Sequence, residues 1–114
     1  MKVKFNFSVD QVLAINALLN KVSKLNFNAL NTDEKIEYSI AISLSDTFES
    51  KKRTLQKNNN LFDIHKKVKM TLNYHEAWGL RNIFINRIGL LENEFQKFNI
   101  QSSISLIDSN AYQL

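Results

Sequence analysis

From Lys2 to Phe7 apolar and polar side chains alternate, with Val3, Phe5 and Phe7 on one side and Lys2, Lys4 and Asn6 on the other. A period of two belongs to a β-strand with one wet face. The pattern therefore predicts a strand over 2–7, and then the period changes. Ser8 stands three residues before Gln11, the spacing of a capping box, and Val12, Ile15, Leu18, Leu19 and Val22 follow at helical intervals. These signals predict a helix from Val9 to Val22. Asn31 and Glu34 repeat the cap after a polar loop, and Ile36, Ile40, Leu44, Phe48 and Leu55 mark a second helix. It should end near Lys57, because Asn58-Asn59-Asn60 reads as a loop.

The opening pattern returns sixty-five residues on, where Lys67-Val68-Lys69-Met70-Thr71-Leu72 answers Lys2-Val3-Lys4-Phe5-Asn6-Phe7. Asn73 and Glu76 take the cap positions of Ser8 and Gln11, and Leu80, Ile83 and Phe84 stand where Ile15, Leu18 and Leu19 stood. Either the chain contains an internal duplication, with units of about 1–65 and 66–114, or two strand-to-helix turns have converged on one spacing because caps and periodicity demand it. Both readings give one domain and the same fold class. It is a helix-dominated α+β protein of two pseudo-repeated strand–helix units, with a small antiparallel sheet of two or three strands packed against about three helices.

Ala77, Leu80, Phe84, Ile88, Leu91, Phe95 and Phe98 keep three- and four-residue spacing, which predicts one long third helix of about six turns, weakened by Gly79 and Gly89. Adding Trp78, Ile85 and Leu90 makes its apolar arc wider than one packing partner requires. From Ile100 the chain alternates again through Ser102, Ile104 and Leu106, which fits a third strand on the sheet edge or a frayed terminus.

Apolar residues at 44% and charged residues at 23% support one packed core in a chain of 114 residues. No cysteine is present, so disulfides, thiolate metal sites and a cysteine nucleophile are excluded. Neither a signal-peptide pattern nor a membrane-length apolar run is seen, and the expectation is a cytoplasmic protein with no membrane contact. Abundant Asn, Lys and Ile with no Pro fits an AT-rich genome, such as that of a phage, in which case the host cytoplasm is expected.

Little in the chain suggests catalysis. His65 and His75 lack the converging ligands of a metal site, and His75 falls in the first turn of a helix. Asp33, Glu34 and Glu37 read as dipole partners or solvated side chains, while Glu92 and Glu94 point to different sides of a helix. With only two glycines no phosphate loop can be built. No catalytic residue, metal or cofactor is expected, and the chain is read as a non-enzyme.

Charge carries more information. Residues 31–50 hold five acidic side chains and one lysine, whereas 51–69 hold seven lysines and arginines against Asp63 alone. Matching of the second helix's dipole accounts for much of this. The leading reading is a small accessory protein that binds another protein or itself, through Trp78, Ile85, Leu91, Phe95 and Phe98. Trp78 is the least certain member of that set, since a lone Trp is more often a core residue. The alternative is an accessory nucleic-acid binder whose Lys51, Lys52, Arg53, Lys57, Lys66, Lys67 and Lys69 meet phosphate, joined by Lys2 and Lys4 if the strands pair. Phe62 or Tyr74 would then stack on unpaired bases.

Overall fold

The computed structural model describes residues 2–63 and 65–111. Strand β1 (Lys2–Ser8) runs into helix α1 (Val9–Ser23), a 3-10 turn (Phe27–Ala29) and helix α2 (Thr32–Lys57); strand β2 (Lys67–Asn73) runs into helix α3 (Tyr74–Arg87), a 3-10 turn (Ile88–Leu90) and helix α4 (Glu94–Ala111). The strands form a two-stranded antiparallel sheet with Lys2 opposite Asn73, Phe5 opposite Met70 at the centre and Ser8 opposite Lys67.

Alternation decides which face of this sheet is covered. Val3, Phe5 and Phe7 of β1 and Val68, Met70 and Leu72 of β2 are buried, while Lys2, Lys4, Asn6, Lys67, Lys69 and Thr71 are exposed. The covered face meets Val12, Ile15, Leu18 and Leu19 of α1, Leu44 and Phe48 of α2, Leu80 and Phe84 of α3, and Ile100 and Ile107 of α4 in one apolar cluster. Phe7 sits at its centre, with the Phe5 ring 5.6 Å away and the Phe48 ring 6.1 Å away.

The caps form as their spacing requires. At α1 the Gln11 N–H donates to Ser8 Oγ at 3.1 Å and the Ser8 N–H donates to Gln11 Oε1 at 2.8 Å. Asn31 and Glu34 exchange the same two bonds at α2, at 2.9 and 3.0 Å, and the Asn73 N–H donates to Glu76 Oε1 at α3. Each bond satisfies a backbone donor that a helix start leaves without an internal partner.

The C-terminal third corrects the expectation of one long third helix. The helix ends at Arg87, the chain tightens over Ile88–Leu90, and a new helix starts at Glu94. Gly89 sits in the tight turn, and Asn93 caps α4 by accepting the Gln96 N–H at 3.0 Å. Residues Ile100 to Ala111 are therefore helical, not a third strand or a frayed end. Ile100, Ser103 and Ile107 form the buried side of α4, and the buried Ser103 hydroxyl donates to the Asn99 carbonyl at 2.7 Å. Among the described residues four helices, where about three were expected, cover the sheet.

Gly79 has a packing role. A Cβ at that position would run into the Ile40 side chain, so the missing side chain makes room for Ile40 between α2 and α3.

Candidate functional site

The uncovered face of the sheet is a lysine surface. Antiparallel pairing sets Lys4 opposite Thr71 and Asn6 opposite Lys69, so β1 and β2 contribute lysines to one plane with no acidic side chain among the outward residues of either strand. Lys4 and Lys69 share the lining of a shallow cavity of 440 Å³ over the middle of the sheet.

Lys69 also lines a second cavity of 360 Å³, between α2 and the start of β2, with Lys51, Thr54 and Leu55 on one wall and Lys66, Lys67 and Val68 on the other. The sequence of α2 explains why a gap exists there. Its buried positions run Glu37, Ala41, Leu44, Phe48 and Leu55. The helical interval after Phe48 calls for an apolar residue at 51 or 52, and both are half-buried lysines. A half-buried lysine can lay its stem against an apolar floor while its ammonium stays in water, as suits Lys51 at the groove wall.

Of the seven basic residues expected to form a patch, the structure gathers Lys51, Lys66, Lys67 and Lys69 around this groove; Lys4 meets Lys69 across the sheet, and Lys2 lies on the same face opposite Asn73. Arg53 instead faces Glu49 along the helix at 3.8 Å. Lys52 and Lys57 lie outside the groove lining, and Lys57 occupies the last turn of α2. None of the six lysines on the face and groove has a carboxylate within ion-pair distance among the described residues.

The arginines of α3 are used differently. Arg87 donates to Glu34 Oε2 at 2.9 Å and lies 3.6 Å from Glu37, whose other oxygen accepts from Asn86. Arg81 pairs with Asp108, joining α3 to α4. Glu37 is thus a buried clamp between α2 and α3, not the solvated side chain expected of it. The Asn31 N–H, and after it the Arg87 guanidinium, hold the Glu34 carboxyl below the usual carboxylate range.

The candidate protein-contact residues are dispersed. Leu91 is 1% exposed in the chain's own core. Trp78 is half-buried against the core and borders a groove between α2 and α3 with Ile36, Ile40 and His75. Ile85 lies exposed on α3, and Phe95 and Phe98, at 54% and 66% exposure, lie on the first turns of α4. Tyr74 packs against the core, whereas Phe62 is 95% exposed. Among the described residues no three His, Asp or Glu side chains converge on a metal position, and no helix is long and apolar enough to cross a membrane. No protein-family model, curated protein or solved structure matches the chain.

Proposed function

We propose that the protein is a non-catalytic nucleic-acid-binding protein that holds a phosphate backbone on the lysine face. The observation that carries this reading is the set of lysines Lys4, Lys51, Lys66, Lys67 and Lys69, which line two adjoining cavities joined through Lys69. Lys2 lies on the same sheet face, and none of the six has an ion pair among the described residues. Dipole matching explains basic residues at the end of α2, but not those on the strands. Protection of a sheet edge explains lysines on β2, but not Lys51 lining the groove. A row of unpaired ammonium groups along a shallow channel suits a polyanion, whose bound counterions are released on contact.

Reversing three charges, Lys4→Glu, Lys67→Glu and Lys69→Glu, tests the reading by fluorescence anisotropy with labelled DNA and RNA. Binding should fall at least about tenfold in low salt, since each lost phosphate contact removes a counterion-release contribution. Unchanged affinity would refute it.

A second reading rests on Phe95 and Phe98, which are one helical turn apart and both more than half exposed. The pair offers an apolar contact to another protein or a second copy of the chain. Light scattering at high concentration tests the self-association form, and a strict monomer would refute it. We further propose that the two units arose by duplication. The order strand, helix, 3-10 turn, helix is followed twice, and pairing is centred on Phe5 and Met70, positions sixty-five residues apart like the matching sequence patterns.

A further inference from the structure

An exposed aromatic side chain lies past the Lys67 end of the sheet. At the Ser8–Lys67 end of the sheet lies a cavity of 190 Å³ lined by Ser8, Val9 and Asp10 at the start of α1 and by Leu61, Phe62 and Asp63 of the loop between α2 and β2. Phe62 is 95% exposed, the most exposed of the large apolar side chains described.

Local structure on both sides fixes its position. Asn59 adopts a left-handed conformation with φ of 56°, which closes α2 and allows the Asn60 N–H to donate to the Leu55 carbonyl at 2.9 Å. Leu61 then packs against the apolar core. Asp63 donates its N–H to the Asn60 carbonyl at 3.2 Å, and its side chain accepts the His65 N–H at 3.0 Å. Phe62 thus projects between an anchored leucine and a closed Asx turn.

Asp10 and Asp63 flank this end, so it disfavours phosphate where the sheet favours it. An exposed ring beside carboxylates suits a base, which can stack on the ring and donate an N–H to the acids, while the backbone runs back over Lys67 and Lys69. A duplex keeps its bases stacked on each other and cannot use such a ring without opening. We propose that the lysine face selects single-stranded nucleic acid, with Phe62 as the stacking platform for an unpaired base.

This inference rests on the phosphate-binding reading above, and one experiment separates the two. Anisotropy is measured with a labelled oligothymidylate of about 15 nucleotides, within the usual size range of single-strand sites, and with a duplex of similar length. The wild-type chain should bind the single strand more tightly. Phe62→Ala should weaken single-strand binding by roughly 5- to 100-fold, leave duplex binding unchanged, and leave the melting temperature unchanged because the side chain is exposed. Phe62→Trp should retain the single-strand affinity. If Phe62→Ala weakens neither ligand, or both equally, the stacking role is refuted while phosphate binding stands. If the wild-type chain binds neither ligand at low salt, phosphate binding itself is refuted, and this inference with it.

Discussion

The two strands follow one pattern yet have different flanks. Beside β1, α4 packs close, with Asn110 donating to the Lys4 carbonyl at 3.2 Å and Ser102 accepting from the Gln11 side chain at 3.0 Å. Beside β2, a groove of 360 Å³ separates the strand from α2. The difference follows from what each helix presents. The inner side of α4 is Ile100, Ser103 and Ile107, and the small Ser103 satisfies its hydroxyl within its own helix, so the backbone can approach. On α2 the position after Phe48 that faces the groove is Lys51, where α4 has small or apolar residues. One flank is closed by packing, and the other stays open where the proposed ligand would lie.

The largest test of this contrast is on the closed flank. Ile107→Ala should cost about 2–5 kcal/mol, the usual range for truncating a fully buried isoleucine, measured by urea unfolding. Next in size, Gln11→Ala removes half of a capping box and the tie to Ser102, and should cost about 1 kcal/mol. The open flank should behave in the opposite way. Lys51→Glu, Lys67→Glu and Lys69→Glu together should change stability by less than about 0.5 kcal/mol per site while abolishing nucleic-acid binding. A large loss of stability there would mean that the lysines serve the fold and that the contrast is wrong.

The smallest effect concerns pH and is tied to neither flank. Because Glu34 is held below its ordinary value by Asn31 and Arg87, its contribution to stability is fully present above the ordinary carboxylate range. It is lost as pH falls through the lower folded value. Arg87→Met should shrink the part of this acid-side loss that Arg87 causes, as read from unfolding midpoints across an acidic pH series.

Most of the fold was legible because short-range signals agreed with tertiary packing. β1, α1, α2 and β2 each combine a cap or loop residue with an apolar period, and their observed bounds lie close to the expected ones. The C-terminal third misled because its apolar spacing runs unbroken from Ala77 to Phe98 across the break between two helices. Gly89 and the Asn93–Gln96 cap, spaced like the other three, were the signals that mark the break. The alternation from Ile100 was a coincidence of small serines with a helical face, since Ile100 and Ile107 are a heptad apart.

The site was legible as charge but not as shape. Lysine-rich composition over 51–69 pointed to the region, yet only strand pairing brings Lys2 and Lys4 into it, and only Lys51 lining the groove distinguishes it from a dipole-matched helix end. The pairing of Glu37 with Arg87 joins residues fifty positions apart, and no local pattern announces it.

The most direct test of the central claim is the salt dependence of binding, measured by anisotropy with a labelled single strand between about 50 and 200 mM salt. If four to six of the face lysines meet phosphate, log K should fall against log salt with a slope of roughly −3 to −4. A slope near zero, or no binding at the lowest salt, would contradict the account.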